Sequence, residues 1–220
     1  MRLSIVFFVF MFYFVLCASL MSADWGILMI DLGKKDVSQG IILIAGGDGF
    51  TEPDSIGKKD CRSVPKVPPG LNAGNHAYFI VDKAVIANKE DESKLWIGVE
   101  YYDRAEKGST GILMDYDDKG DTYPQNAFAL GLPQAERTIN FLDTDGWVIA
   151  IIPITQAEFK EQGNGGDFRF HIVPYMSGKF YLDRIWVSNK EFKEADLIGA
   201  KAVSSGGKLA VCWSELKRKN

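Results

Sequence analysis

The aromatic and arginine side chains of this 220-residue chain are residue types that sugar recognition uses. A sugar's C–H face stacks on an aromatic ring and loses little hydration, so lectin-like sites need exposed aromatics. Arg169 adds a planar fork of donors that can hold sugar hydroxyls or a uronate carboxylate. We predict a glycan site that uses Trp96, Trp186, Tyr102 and Arg169. The structural alternative for Arg169 is a cross-strand ion pair with Asp183.

Two acidic loops contain the residue types of a calcium site. Carboxylates and backbone carbonyls supply the roughly six to eight oxygen ligands that Ca²⁺ takes. Neither loop has the full spacing of a calcium hand, because Lys119 occupies a ligand position and no Glu closes the loop. A structural calcium is one prediction, and a solvated turn is the alternative. The candidate ligands are Asp115, Asp117, Asp121, Asp143 and Asp145.

Catalytic constellations are weak in this sequence. His76 and His171 match no zinc spacing with the cysteines, and no Gly-x-Ser-x-Gly elbow is present. No carboxylate pair stands out for glycoside hydrolysis. We therefore expect a non-catalytic protein with no cofactor beyond the candidate calcium.

The first 23 residues have the layout of a secretory signal peptide. Arg2 precedes an apolar core at residues 5–16, and small residues follow, so cleavage after Ser19 or after Ala23 fits the pattern. An uncleaved anchor is the rival interpretation, because the apolar stretch approaches the ~18 residues that suggest a spanning helix. We predict a secreted, periplasmic or cell-surface protein, with membrane contact only if the segment is uncleaved.

The net charge limits which partners we expect, and the cysteine content bears on whether the protein contains a disulfide. The net charge is −4, so the chain gains nothing from counterion release at phosphates, and no nucleic-acid partner is expected. Cys61 and Cys212 would remain after export and could pair in an oxidising compartment. The alternative is two separate buried thiols.

Strand patterns must position these residues. Phe168, Phe170 and Ile172 alternate with polar residues, which predicts a strand with one buried face. Residues 176–179 are a hairpin signal that would pair this strand with residues 180–188, where a slip in alternation near Asp183 indicates a bulge. The apolar run at 146–154 predicts a central strand covered on both faces, with Trp147 in the core. Together these patterns predict an all-β antiparallel sandwich.

Seven stretches, taken together, carry a family resemblance. They are Gly47-Asp48-Gly49, Tyr78-Phe79-Ile80-Val81-Asp82, Val99-Glu100-Tyr101-Tyr102-Asp103, Met114-Asp115-Tyr116-Asp117, Gly146-Trp147, Ala157-Glu158-Phe159 and Gly166-Asp167-Phe168-Arg169-Phe170. In this order they resemble the galactose-binding-like jelly-roll domains of secreted bacterial carbohydrate-active proteins, over roughly residues 27–190. The resemblance implies a sandwich that is often non-catalytic and stands beside enzymes acting on polysaccharides.

These observations give one domain organisation and two hypotheses for function. A signal peptide at 1–23 precedes a jelly-roll sandwich at 24–190, and a C-terminal extension at 191–220 could add a further strand. The first hypothesis is an exported, non-catalytic protein that binds a polysaccharide. The second is a structural or protein-interaction sandwich of the cell surface or periplasm, with no sugar site.

Overall fold

The computed structural model describes residues 25–45, 48–65, 76–86, 91–106, 108–118, 133–161, 164–175 and 177–197. Within these residues, strands from two antiparallel sheets stack as a sandwich, which confirms the predicted all-β fold. The signal segment at 1–23 and residues 198–220 lie outside the described residues. Among the residues described, no helix is long and apolar enough to span a membrane.

The elements follow one another along the chain with short helical turns late in the sequence. In chain order they are β1 (Ile27–Asp31), β2 (Val37–Gln39), β3 (Ile41–Ile44), β4 (Glu52–Ile56), β5 (Lys59–Val64), β6 (His76–Val81), β7 (Asp91–Asp103), β8 (Gly111–Tyr116), α1 (Gln134–Arg137), β9 (Thr138–Asn140), β10 (Gly146–Glu158), β11 (Phe168–Val173), β12 (Phe180–Ser188) and α2 (Glu194–Leu197).

Two sheets divide these strands. Within the described ranges, sheet A has the order β10-β7-β12-β1-β2, with β5 also paired to β12 and β4 paired to β5. Sheet B has the order β3-β6-β11-β8-β9. A register shift between Leu182 and Arg184 confirms the predicted bulge in β12.

The predicted hairpin between residues 167–173 and 180–188 is wrong. β11 pairs with β6 and β8 in sheet B, whereas β12 pairs with β5, β7 and β1 in sheet A. The connection therefore crosses from one sheet to the other. Arg169 and Asp183 consequently lie in different sheets, and the proposed ion pair between them is also wrong.

The main core lies between the two sheets. The predicted alternation in β11 is confirmed, since Phe168, Phe170 and Ile172 are buried while the residues between them are partly exposed. Val99 and Ile185 face them from sheet A, within one continuous cluster of buried apolar side chains. Burial of such side chains stabilises the fold by about 1.5–3 kcal/mol each relative to exposure.

A smaller apolar cluster lies on the other side of sheet A. Trp186 and Met29 pack there against Phe192 and Leu197, which belong to the segment after β12. Residues 191–197 thus cover part of the outer surface of sheet A. The predicted extra strand of the extension would fall within residues 198–220, outside the described residues.

Among the strands that the structure describes, the apolar β10 is at an edge of sheet A, not at its centre as predicted. It is apolar on both faces because Ile152 and Ile154 enter the main core while Ile149 and Ile151 border the Trp186 cluster. Two features interrupt the strand: an exposed Pro153, and Gln156 with a φ of 58°.

Candidate functional site

The face of sheet B that points away from the core carries both histidines of the chain. In the register, His171 is opposite His76, and Arg169 is opposite Tyr78 on one side and Asp115 on the other. Side chains two residues apart on a strand share a face, so these five project together. We call this surface, with its adjoining loops, the histidine face: Asp48, His76, Tyr78, Asp115, Asn164, Arg169, His171 and Tyr175.

Arg169 is at the centre of the histidine face. Its Nε donates to Asp115 Oδ2 at 3.0 Å, and its Nη1 donates to the Tyr78 hydroxyl at 3.0 Å. Burial alone would lower the pKa of Arg169, but Asp115 and Tyr78 raise it. The guanidinium is therefore a fixed, oriented cation.

A second guanidinium, that of Arg137, pairs with Asp115 from its buried side. Arg137 is fully buried, and its Nη1 lies 2.6 Å from Asp115 Oδ1. His171 Nε2 is 3.3 Å from Asp115 Oδ2. Burial alone would raise the pKa of Asp115, but His171 and the two arginines bring it well below its usual range. Asp115 therefore stays ionised and orients the groups above it.

Asp48 and Asn164 form the rim of the histidine face. The Tyr78 hydroxyl donates to Asp48 Oδ1, and Asn164 Nδ2 donates to the same oxygen at 2.8 Å. Burial and the hydrogen bond to Asp48 raise the pKa of Tyr78 to about 12. Burial raises the pKa of Asp48, but Tyr78 and neighbouring charges outweigh it and lower that pKa overall. The rim thus presents a carboxylate, an amide and a phenol at neutral pH.

The aromatic part of the histidine face is built from three rings. The ring centroids of His76 and His171 are 5.2 Å apart, and that of Tyr175 is 5.4 Å from His76 and 5.9 Å from His171. Tyr175 is 50% exposed, whereas His76 is 3% exposed. Burial, followed by the charge of Arg169, lowers the pKa of His76 to about 4. His76 is therefore neutral at pH 7, and Tyr175 offers its ring to solvent.

Charged groups of both signs meet in and behind the histidine face. Arg137 and Arg169 are opposed by Asp48 and Asp115, and His76 is neutral. An arrangement of donors and acceptors around an exposed aromatic ring can bind a neutral, hydroxyl-rich molecule. Both guanidinium groups already pair with Asp115, so neither is held in reserve for an anionic molecule.

The predicted sugar platforms lie on the opposite side of the sandwich from Arg169. Trp96, Trp186 and Tyr102 all point outward from sheet A, so the structure brings these three to one face but separates them from Arg169. Trp186 is 0% exposed beneath Phe192, which leaves it no open ring face, and this corrects its proposed role. Tyr102 is 6% exposed, and Trp96 is half-buried beside the same cluster.

Trp147 is not in the main core as predicted. It lies half-buried on the outer face of sheet A, with its ring 5.4 Å from that of Tyr102 and with Lys59 Nζ 4.9 Å above it. The tip of the β4–β5 hairpin covers this pair: the Trp147 indole N–H donates to Ile56 O, and Gly57 lies against both rings.

A charged network also lies under the β4–β5 hairpin. Lys59 Nζ contacts Glu100 Oε1 at 2.6 Å and Asp183 Oδ2 at 2.8 Å. Arg184 Nε contacts Glu100 Oε2 at 2.6 Å. Burial raises the pKa of Asp183 to about 6, helped by its hydrogen bond with Glu100. Both carboxylates are engaged by the same lysine, so the network holds the hairpin down on sheet A.

The acidic residues proposed for calcium are divided between β8 with the residues after it and the loop between β9 and β10. Asp115 is engaged by Arg137 and Arg169, whereas Asp143 accepts from the Ala105 amide and Asp145 accepts from Tyr102. Asp117 is buried beside Glu158, and Asp121 lies outside the described residues. Among the residues with described positions, no group of three or more His, Cys, Asp or Glu has the geometry of a metal site. The structural calcium stays a prediction.

The disulfide also stays a prediction. Cys61 is fully buried in β5, where burial, followed by nearby carboxylates, raises the pKa of its thiol to about 11. Cys212 lies outside the described residues.

Sequence reasoning identified Arg169 but missed the rest of the histidine face. The sequence offered the two histidines only as zinc ligands or as members of a catalytic triad, and it gave no reason to propose Tyr175. The available signal was the shared parity of Arg169 and His171 on one alternating strand, which places both on one side of β11. Nothing local to the sequence indicated that β6 and β8 would flank that strand.

No protein-family model matches this chain, and no curated protein matches its sequence. It is similar in structure to the K1 cleaved adhesin domain of Lys-gingipain from Porphyromonas gingivalis W83, with a TM-score of 0.41 and 10% identity, covering 76% of this chain and 99% of that one. It is also similar to the CBM22-1 xylan-binding domain of Paenibacillus barcinonensis Xyn10C, with a TM-score of 0.38 and 10% identity, covering 73% and 92%.

A third similar structure is CBM28, a carbohydrate-binding module specific for non-crystalline cellulose. Its TM-score is 0.32 at 16% identity, covering 70% of this chain and 88% of that one.

Proposed function

We propose that this protein is an exported, non-catalytic sandwich that binds a neutral polysaccharide through the histidine face. The observation that carries the proposal is the exposed ring of Tyr175, set beside two imidazoles and the Arg169–Tyr78–Asp48 hydrogen-bond network. Sugar sites combine an aromatic ring for the C–H face with planar polar groups for the hydroxyls. The histidine face has both.

The pairing of these charges supports a neutral ligand. Asp48 accepts and Asn164 donates at the rim, while Asp115 already compensates Arg169 behind them. A uronate would bring its own carboxylate close to Asp48 and would find Arg169 already paired. The neutral class is therefore favoured over the acidic polysaccharides that an arginine alone could suggest.

Affinity electrophoresis tests the proposal directly. The purified chain, with its net charge of −4, is run in native gels containing hydroxyethyl cellulose, galactomannan or dextran, and in gels containing alginate or polygalacturonate. We expect retardation in at least one neutral gel and none in the acidic gels. Retardation in no gel would favour the second hypothesis, a structural or protein-interaction role, and retardation only in acidic gels would contradict the charge argument.

Matched variants locate the binding. We expect Tyr175→Ala to weaken retardation by at least about tenfold, because the exposed ring is lost. Arg169→Lys keeps the charge but loses the planar fork, so it should also weaken binding. Val85→Ala, at 43% exposure and after the far end of β6, is the control for a lost surface side chain. Equal retardation of Tyr175→Ala and Val85→Ala would remove the histidine face from the proposal.

A further inference from the structure

A second polar cavity lies on the other side of the sandwich. It has a volume of about 370 Å³ and is lined by Arg104, Ala105, Glu106 and Tyr181. This volume falls within the range of small-molecule sites, roughly 300–1,000 Å³. Tyr181 stands on β12 between the core residues Phe180 and Leu182, so its ring points outward from sheet A.

The walls of this cavity are fixed by contacts with neighbouring elements. Lys179 Nζ contacts Asp54 Oδ2 at 2.6 Å and lies 5.0 Å from the Tyr181 ring centroid. Glu106 Oε2 accepts from the Lys179 amide at 3.1 Å. The rings of Tyr102 and Tyr181 pack edge to face, with their centroids 6.3 Å apart. The tyrosine ring and the carboxylate are thus held before any ligand arrives.

The chemistry of the cavity is that of a sugar site. Arg104 is a donor whose side chain is 60% exposed, and its Nη1 is 3.8 Å from Asp145 Oδ1, too long for a strong hydrogen bond. Glu106 supplies a carboxylate acceptor, and Tyr181 supplies an aromatic wall. Opposite charges side by side with an aromatic ring suit a neutral molecule with adjacent hydroxyls.

We propose that this cavity is a second glycan-binding site, and that the protein therefore bridges two polysaccharide chains. The inference rests on the proposed function for the bridging step, because the histidine face supplies the first site. The ring of Tyr181 points outward from sheet A, whereas the histidine face points outward from sheet B, and the other lining residues of the cavity belong to the loop between β7 and β8. One polysaccharide strand cannot cover both faces without wrapping around the sandwich.

Fluorine NMR separates the two sites within one sample. The full chain is produced with 3-fluorotyrosine, and the signals of Tyr175 and Tyr181 are assigned from the variants Tyr175→Phe and Tyr181→Phe. Cellopentaose, mannopentaose and maltopentaose are the probes. We expect one of them to shift both signals in a saturable way, with independent midpoints.

Each outcome decides between the proposals. A Tyr175 signal that shifts while Tyr181 stays fixed would overturn the second site and leave the proposed function standing. A Tyr181 signal that shifts alone would support the cavity and overturn the histidine face. Two fixed signals would overturn both.

The variant Arg104→Ala tests the cavity without disturbing the hydrophobic core, because this side chain is exposed. We expect it to raise the midpoint seen at Tyr181 about tenfold, from the loss of a charged hydrogen bond, with no change at Tyr175. We also expect the wild-type chain, but not Arg104→Ala, to increase light scattering when it is mixed with a polysaccharide that retards it in the gels. Scattering that persists in Arg104→Ala would contradict bridging through this cavity.

Discussion

Asp115 is the residue of the histidine face whose substitution should lower the stability of the fold most clearly. Its side chain is 7% exposed, and it faces Arg137, whose side chain is 0% exposed. Breaking a buried ion pair from one side typically costs about 3–5 kcal/mol, because an uncompensated charge stays buried. The Arg137 side chain is 0% exposed, whereas that of Arg169 is 20% exposed and can relax toward water. We expect Asp115→Asn to lower the free energy of unfolding by about 3–5 kcal/mol.

Urea denaturation followed by tryptophan fluorescence at pH 7 measures this loss, provided that the slope m stays unchanged. The matched control is Asp36→Asn, which breaks a more exposed pair with Arg62 at 2.8 Å. Pairs of that kind contribute at most about 1 kcal/mol. If Asp115→Asn costs no more than Asp36→Asn, the buried guanidinium does not depend on Asp115, and the account of the histidine face fails.

Two further predictions concern pH and the β4–β5 hairpin. Burial lowers the pKa of His76 from its ordinary 6.5 to about 4 in the fold, so the contribution of neutral His76 to stability is complete above pH 6.5 and is lost as the pH falls toward 4. The free energy of unfolding should fall by roughly 3 kcal/mol over this range, and His76→Gln should flatten that part of the unfolding profile. Gly57→Ala should cost about 1–3 kcal/mol more than Gly108→Ala in urea denaturation. Both glycines have positive φ, but only at Gly57 would a Cβ lie 2.6 Å from Tyr102 and 2.9 Å from Trp147. Equal costs would mean that the hairpin tip can move away from the rings.

Local pattern was enough to predict which residues of a strand face the core. Phe168, Phe170 and Ile172 alternate with polar residues, and period-two alternation has a direct meaning in a half-buried strand. The bulge near Asp183 was also readable, because a slip in alternation is a local event. These features depend on residues that are adjacent in the same strand, and such residues are also adjacent in the sequence.

Pairing between distant strands could not be read in the same way. A tight turn after β11 looks the same whether the next strand returns beside it or crosses to the other sheet. The burial of Arg137 is a similar case, because its short helix has a polar sequence and the partner Asp115 is 22 residues away. Trp186 is buried by Phe192, whose position depends on how the chain folds back after β12. The candidate site was therefore predicted at Arg169 and missed at Tyr175.

The edge position of β10 has a consequence for the behaviour of the protein at high concentration. A long apolar edge strand is a template for pairing with another chain and so for aggregation. Pro153 has no amide hydrogen to donate across that edge, and the left-handed backbone at Gln156 breaks the flat geometry that a docking strand would need. Pro153 and Gln156 therefore make the outer edge of β10 a poor template for a further strand.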